Sequence, residues 1–244
     1  MKFAVQMYSL RHHIQTGEDM LEILGKVKEI GFDGVEFAGY FGLDAETLKA
    51  RLDELGLVCV GTHTGLQNYD EPQLAETIRF HKVLGCKQIG IGGAHTSDEE
   101  SLAEVMQILG HANEVAEKEG MKVYFHNHGR EFLTTEDDTS GGRMIIDRLK
   151  EACYLQVDTY WSFHAGMDNY QFLTENKDRI VAVHIKDGID GKPKALGEGN
   201  CDLAAVIKGA KDIGLDFMVL ENDDPQPTGL EDIARSMVYL KANA

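Results

Sequence analysis

Short runs of apolar residues alternate along the chain with longer amphipathic stretches. We predict eight β-strands whose first residues are 24 to 36 positions apart, which leaves room for one helix and two loops in each interval. The predicted strands are residues 3–9, 34–39, 58–64, 88–93, 122–128, 154–160, 181–187 and 217–223. This regular alternation of strand and helix is typical of an α/β protein with a parallel sheet.

The intervals between the strands have the residue spacing of amphipathic helices. A capping box from Ser97 to Glu100 is predicted to open one helix, after which apolar residues recur with a period near 3.6 as far as Gly120. A second capping box, from Thr228 to Glu231, is predicted to open the last helix.

Eight strands alternating with eight helices is the number that closes a (β/α)8 TIM barrel. The alternative is a doubly wound open sheet, which usually carries a Gly-rich phosphate-binding turn after its first strand. The sequence reads YSLRHH at that point, so it lacks such a turn. Because no linker or change of composition divides the chain, we predict one α/β domain, a single (β/α)8 barrel over residues 1–244.

The charge of the chain restricts its expected partners. The net charge is −17, from 41 acidic and 24 basic residues. Nucleic acids and anionic membranes bind basic surfaces, so we expect neither as a partner. The sequence has no membrane-spanning apolar run and no signal-peptide pattern at its start. With four scattered cysteines and no CxxC motif, we expect a cytoplasmic protein with reduced thiols.

Groups that bind metals or exchange protons are concentrated at the carboxyl ends of the predicted strands. In a TIM barrel these ends form the rim that carries the active site. The polar residues there are Gln6 and Tyr8, Glu36, His63, His95 just past strand four, His126 and His128, Asp158, His184 and Lys186, and Glu221. In strands five to seven these groups share one phase of the strand, and the opposite phase carries mostly apolar residues, so we expect the polar side chains to face the lumen.

Four good metal ligands come from the last four strands: Glu131, Asp158, His184 and Glu221. Three carboxylates and one imidazole suit a divalent ion such as Mn²⁺, Co²⁺, Mg²⁺ or Zn²⁺. Glu131 follows His128 by three residues and could therefore lie in the loop. In that case His126 or His128 would be the ligand from strand five.

The motifs VQMYSLR, IGFDGVEFAG, LGLVCVGTH, LGCKQIGIGG, HNHGREF, QVDTYW, VAVHIKDG, ALGEGN and LEND follow one another along nearly the whole chain. In this order the chain resembles the xylose isomerase-like TIM barrel superfamily, which includes sugar phosphate isomerases/epimerases and AP endonuclease family 2. In families of this kind a Glu, an Asp, a His and a Glu from the last four strands hold a divalent metal. The resemblance places these roles on Glu131, Asp158, His184 and Glu221.

The resemblance implies a metal-dependent sugar isomerase or epimerase. Such an enzyme removes the proton next to the carbonyl of a ketose or keto-sugar and forms an enediolate. In ketose epimerases of this type the two metal-bound glutamates act as acid and base, which implies catalytic roles for Glu131 and Glu221. The candidates for substrate binding are Glu36, His63, His126, His128, Trp161 and Lys186. We expect the glycine-containing loop at residues 194–200 to cover the site, and His81 to lie on a helix surface without a role.

Two alternatives stay open. Trp161 stands where many relatives carry a histidine, which favours a lyase, such as a dehydratase of the inosose dehydratase type. A barrel that has lost catalysis would instead be a binding protein or a partner subunit. The acidic chain lacks the extra ligands of the trinuclear zinc cluster found in DNA-repair relatives, so that activity is not expected.

The substrate is expected to be a small sugar or keto-polyol. The predicted rim has few basic residues, so a neutral or oxidised sugar is expected rather than a sugar phosphate. A homo-oligomer, either a dimer or a tetramer, is compatible with this reading.

Overall fold

Eight parallel strands form a closed barrel in the computed structural model, which describes all 244 residues. The barrel strands are β1 (Lys2–Gln6), β2 (Gly34–Ala38), β3 (Val58–His63), β4 (Gln88–Ile91), β5 (Lys122–His126), β6 (Tyr154–Asp158), β7 (Ile180–Ile185) and β10 (Phe217–Leu220). The order around the barrel is β1-β10-β7-β6-β5-β4-β3-β2. This closed ring confirms the predicted (β/α)8 barrel.

Nine α-helices surround the barrel. They are α1 (Gly17–Ile30), α2 (Ala45–Leu55), α3 (Gln73–Leu84), α4 (Glu99–Lys118), α5 (Ile145–Ala152), α6 (Thr159–His164), α7 (Asn169–Glu175), α8 (Leu203–Asp212) and α9 (Gly229–Asn243). Short 3-10 helices cover Met7–His13, Leu66–Tyr69 and Arg130–Phe132. The number of helices exceeds the predicted eight because two short helices, α6 and α7, connect β6 to β7. None of the helices combines the length and the apolar character that a membrane crossing requires.

Alternation along each strand separates the apolar core from the lumen. On β5, Val123 and Phe125 are buried in the core between strands and helices. The side chains of Tyr124 and His126 point the other way and contact polar groups inside the barrel. Since successive side chains of a strand face opposite sides, one face of β5 packs against helices while the other builds the site.

The helix starts follow local hydrogen-bonding rules, with one correction to the sequence analysis. The predicted capping box from Ser97 to Glu100 does not form, because Asp98 is the N-cap of α4 and accepts a hydrogen bond from the backbone N–H of Ser101 at 2.9 Å. Thr228 caps α9 as predicted and accepts from the backbone N–H of Glu231 at 3.3 Å.

Every barrel strand ends one to three residues earlier than the sequence analysis predicted. Beyond Gln6 the chain turns into the Met7–His13 helix, so Tyr8 lies past the strand. Beyond Asp158 the chain enters α6, because the Asp158 carboxylate accepts the backbone N–H groups of Tyr160 and Trp161. The apolar pattern continues past the last paired residues of the strands. Polar side chains at the strand ends, such as Asp158, accept hydrogen bonds from the backbone N–H groups that follow, and the strands end there.

The loop expected to cover the site has a different position. A hairpin of β8 (Asp187–Ile189) and β9 (Lys192–Lys194) follows β7, and the loop continues from it. The buried carboxylate of Asp187 accepts backbone N–H groups from Gly197 and Gly199, each at 2.9 Å. Leu196 is buried and donates its N–H to Ser236 on α9. The loop is therefore held against α9, and none of its residues lines the pocket described below.

His81 is buried in the structure, contrary to the expectation of an exposed position. Its ring lies on the inner face of α3, where one nitrogen contacts the Thr77 carbonyl and the other contacts the Tyr40 hydroxyl, each at 2.6 Å. Both ring nitrogens thus have protein partners. The residue is part of the helix packing and not of the surface.

Candidate active site

A pocket of about 330 Å³ opens at the carboxyl ends of the strands. Its walls include Tyr8, His63, His126, His128, Glu221 and Asp223. The volume is within the usual range of small-molecule sites. The pocket lies at the rim where active sites of TIM barrels are found.

Four buried side chains from four neighbouring strands converge at the floor of this pocket. His126, Asp158, His184 and Glu221 each offer one ligand atom, and these atoms lie within 4.8 Å of one another. The Nε2 atom of His126 is 3.9 Å from Asp158 Oδ2 and 4.0 Å from Glu221 Oε2. We call these four residues the ligand cluster. Three of them, Asp158, His184 and Glu221, belong to the set predicted from the sequence.

Glu131, the fourth residue of the predicted ligand set, is not part of the cluster. Strand β5 ends at His126, so Glu131 falls in the 3-10 helix that follows. Its carboxylate accepts the backbone N–H of His128 at 2.8 Å and faces the Thr96 hydroxyl at 3.5 Å. Strand β5 therefore contributes His126 to the cluster, which is the alternative that the sequence analysis left open.

His184 lies between two buried carboxylates. Its Nδ1 contacts Glu221 Oε2 at 2.9 Å, and its Nε2 contacts Glu36 Oε2 at 2.5 Å. Burial opposes the charged ring, but Glu221 and Glu36 raise the pKa of His184 to about 10. Burial likewise opposes ionisation of Glu36, yet His63 and His184 lower its pKa to about 2. Both groups are therefore charged at neutral pH.

Glu36 was predicted to bind substrate, but it lies beneath the cluster with its oxygens engaged by the protein. Besides His184, the hydroxyl of Tyr124 and the Nε2 amide of Gln156 donate to its Oε1. The residue is completely buried. Its contacts are those of a group that orients His184 from below.

Gln156 connects Glu36 to two histidines. Its Oε1 is 2.7 Å from His63 Nε2 and 3.1 Å from His126 Nδ1. Burial, and then the charge of His184, keep the pKa of His126 well below its usual value, so this ring is neutral. His63 and His126, which the sequence analysis proposed for substrate binding, both line the pocket.

Lys186 is completely buried among three carboxylates, although it was predicted as a substrate-binding residue. Its Nζ lies 3.0 Å from Asp158 Oδ2, 3.1 Å from Glu221 Oε2 and 2.5 Å from Asp223 Oδ2. Burial alone would lower the pKa of Lys186, but the three carboxylates raise it above its usual value. The ammonium group therefore neutralises part of the negative charge of the cluster.

Trp161 and His128 lie at the outer edge of the site. The indole Nε1 of Trp161 donates to Asp223 Oδ2 at 3.3 Å, and its ring lies 6.2 Å from that of His128. His128 is exposed and lines the pocket, whereas Trp161 is half-buried. Both aromatic rings are thus placed beside the opening, where a sugar face could stack.

The chemistry of the cluster fits a divalent cation. Zinc and similar ions bind imidazole nitrogen and carboxylate oxygen at about 2.0–2.2 Å, so the ligand atoms around them lie within a few ångströms of one another. The four ligand atoms of the cluster, all within 4.8 Å of one another, can contract around such an ion. The ammonium of Lys186, already between two of the carboxylates, shows that this space favours positive charge. His126, Asp158, His184 and Glu221 could therefore hold Mn²⁺, Co²⁺, Mg²⁺ or Zn²⁺, with His184 giving up one ring proton as the cation binds.

The sequence analysis assigned no role to Gln156, Asp223 or Gln6, which the structure places in the lumen or at its rim. Gln156 shares the strand phase of Asp158, and Asp223 follows Glu221 by two residues, so both carried a recognisable signal. Gln6 is buried in the lumen, where its Oε1 accepts the N–H of Tyr8 and its Nε2 has no partner. Nothing in the sequence indicates that the amide nitrogen of Gln6 would lack a hydrogen-bond partner.

Comparison with known proteins agrees with this architecture. The family of xylose isomerase-like TIM barrels matches residues 24–242. An inosose dehydratase of Geobacillus kaustophilus is 25% identical over 198 residues, which is 68% of this chain and 61% of that protein. The chain thus spans about three fifths of that curated relative.

Solved structures share the fold at low identity. A sugar phosphate isomerase/epimerase from Parabacteroides distasonis superposes with a TM-score of 0.80 at 22% identity, covering 99% of this chain and 94% of the other. An L-ribulose 3-epimerase superposes with a TM-score of 0.76 at 16% identity, with the same two coverages. From the family match over most of its length and from its closed barrel, the chain belongs to the xylose isomerase-like TIM barrel family.

Proposed function

We propose that the protein is a divalent-metal-dependent enzyme that removes the proton next to the carbonyl of a ketose, keto-sugar or keto-polyol. The observation that carries this proposal is the convergence of His126, Asp158, His184 and Glu221 at the floor of a pocket of monosaccharide size. A cation bound there would polarise the carbonyl and make the neighbouring C–H bond more acidic.

Glu221 is assigned as the proton acceptor. It belongs to the ligand cluster and also lines the pocket, so its carboxylate is accessible to a substrate seated there. Burial would raise the pKa of Glu221, but Lys186 and His184 hold it well below its ordinary value. The carboxylate is therefore ionised at neutral pH; its Oε2 accepts from His184 and Lys186, which leaves Oε1 to accept a proton.

Isomerisation or epimerisation would follow if the proton returned to the neighbouring carbon or to the opposite face of the same carbon. His128 lines the pocket and could supply this proton. Glu131 is not proposed for this step, because its carboxylate is engaged by the His128 backbone and lies outside the cluster.

Dehydration is a second candidate, favoured by the presence of His126 where a carboxylate was predicted. A proton-accepting carboxylate beside several histidines suits elimination, in which Glu221 takes the proton from one carbon. A histidine then donates a proton to the hydroxyl that leaves the next carbon, and water departs. The similarity to inosose dehydratases supports this candidate.

The proposal is tested first by elemental analysis. The purified protein is expected to hold about one Mn, Co or Zn per chain after incubation with excess metal, and an Asp158→Asn/His184→Ala double variant none. An Asp53→Asn/His111→Ala variant, which changes the same residue types at exposed positions, is the control. Equal metal contents in the native protein and the Asp158/His184 variant would refute the metal site.

The reaction is then assayed with ketoses and keto-inositols in deuterated water. Deuterium next to the carbonyl without loss of water indicates isomerisation or epimerisation, whereas loss of water indicates dehydration. If a fully metal-loaded protein exchanges no proton with any substrate, the enzyme proposal fails and a binding or partner role takes its place.

A further inference from the structure

The Gln156 side chain has only one orientation that satisfies its neighbours. It lies between Glu36 on one side and the rings of His63 and His126 on the other. An ionised carboxylate can only accept hydrogen bonds, so the Gln156 atom 2.6 Å from Glu36 Oε1 must be the Nε2 donor. The amide oxygen must then face the two histidines.

This orientation determines where each ring carries its proton. An amide oxygen only accepts, so the two ring nitrogens that face it must both be N–H groups: His63 Nε2 at 2.7 Å and His126 Nδ1 at 3.1 Å. The same His63 nitrogen is 3.4 Å from Glu36 Oε1, a second acceptor. A neutral imidazole has a single N–H, so His63 Nδ1 and His126 Nε2 carry free lone pairs.

The two free nitrogens face different parts of the site. His126 Nε2 faces the Asp158 and Glu221 carboxylates of the ligand cluster. His63 Nδ1 lies under Gly92 in the pocket wall, where an added Cβ would come within 2.9 Å of it. Both residues line the pocket, and any side chain at position 92 would contact this nitrogen.

We propose that Gln156 is a positioning residue that fixes two histidines in complementary tautomers. His126 is held as a metal ligand through Nε2, and His63 is held with Nδ1 as an acceptor for a substrate hydroxyl. The ligand role of His126 rests on the proposed function above. The tautomers themselves follow from the contacts of Gln156 with Glu36, His63 and His126, and hold in the metal-free protein.

The tautomers are measured directly by NMR of the metal-free wild-type protein labelled with ¹⁵N at its histidine rings, at pH 8. The expected spectrum shows His126 protonated on Nδ1 and His63 on Nε2, with signals assigned by single His→Gln substitutions. Protonation of His126 on Nε2, or of His63 on Nδ1, would overturn the proposal without any variant of Gln156.

Substitution then tests whether Gln156 is the cause. In Gln156→Leu at least one ring should change tautomer or become a mixture, and Mn²⁺ affinity should fall about 10–100-fold. Gln6→Leu is the matched control, because Gln6 is an equally buried lumen glutamine whose recorded contact is with the Tyr8 backbone. Unchanged tautomers in Gln156→Leu would refute the assignment.

The two measurements separate this inference from the proposed function. If the wild-type tautomers are as expected but no divalent ion binds, the metal site fails and the role of Gln156 as a tautomer-fixing residue stands. If metal binds but the tautomers differ, the proposed function stands and the inference about Gln156 fails.

Discussion

The most unusual single residue is Lys186, whose ammonium group is buried among Asp158, Glu221 and Asp223. A buried carboxylate without a counter-charge is costly, so Lys186 stabilises the metal-free lumen. Two of these three carboxylates, Asp158 and Glu221, also belong to the ligand cluster. Lys186 and a divalent cation therefore compensate the same negative charge.

This competition predicts that Lys186→Met binds Mn²⁺ more tightly than the native protein, by roughly tenfold, which corresponds to about 1.4 kcal/mol. The metal-free variant should also be less stable, because two buried carboxylates lose their counter-charge. Isothermal titration with Mn²⁺ and thermal unfolding without metal measure the two effects. Lys208→Met, at an exposed position, is the control. Weaker metal binding by Lys186→Met would show that the lysine supports the cation.

The burial of His81 predicts that the free energy of unfolding depends on pH. Burial lowers the pKa of His81 to about 4, below the ordinary value of 6.5, so the unfolded chain binds the proton more readily than the folded protein. Its contribution to stability is therefore lost as the pH falls from about 6.5 to about 4, by up to roughly 3 kcal/mol, and is constant outside this window.

The His81 contribution is isolated by comparison with His81→Gln. The free energy of unfolding in urea should fall more steeply between pH 7 and pH 4.5 for the native protein than for the variant. His111→Gln, on an exposed helix position, should keep the native slope. Parallel profiles for the native protein and His81→Gln would contradict the prediction.

Among the larger elements, the hairpin β8–β9 and the loop after it depend on one carboxylate. Asp187 accepts the backbone N–H groups of Gly188, Gly197, Gly199 and Cys201 at 2.9 to 3.1 Å. A Cβ at Gly199 would lie 2.1 Å from Asp187 Oδ1, so this close approach requires glycine. The loop is thus a fixed structure around a buried anion.

Asp187→Asn should therefore destabilise the protein by about 2–3 kcal/mol, because an amide cannot accept on both of its end atoms. Backbone hydrogen exchange should accelerate first at residues 197–201, and the metal affinity should change little. Asp190→Asn, at the exposed turn of the same hairpin, is the control. Native exchange rates in Asp187→Asn would show that the loop is held by other contacts.

The elements show what the sequence could and could not predict. Alternating apolar runs placed all eight barrel strands, because burial against helices imposes that pattern. The predicted strand ends were too far along the chain. Asp158 and other residues at the strand ends accept hydrogen bonds from loop and helix N–H groups, and the hydrophobic periodicity of the sequence does not show these bonds. The position of the 194–200 loop depends on hydrogen bonds from its backbone to Asp187. Asp187 belongs to a different element, so the pattern within the loop does not predict this contact.

For the whole molecule, barrel closure explains why three residues of the ligand cluster could be predicted. Asp158, His184 and Glu221 each lie at or next to a strand end, so the topology alone brings them to one rim. The residue from β5 could not be chosen from the sequence. His126 and Glu131 are both suitable ligands, and the choice depends on where β5 ends and the chain turns.

The choice between His126 and Glu131 can be tested on the stability of the whole barrel, because the cluster joins four adjacent strands, β5, β6, β7 and β10. A cation bound there should raise the free energy of unfolding by about 2.7 kcal/mol at a concentration 100 times its Kd. The shift in melting temperature on adding Mn²⁺ should disappear in His126→Ala and persist in Glu131→Gln, whose side chain lies outside the cluster. Comparing each variant with and without Mn²⁺ removes any effect of the substitution on intrinsic stability. The reverse result would place Glu131 at the metal and require the loop after β5 to rearrange when the cation binds.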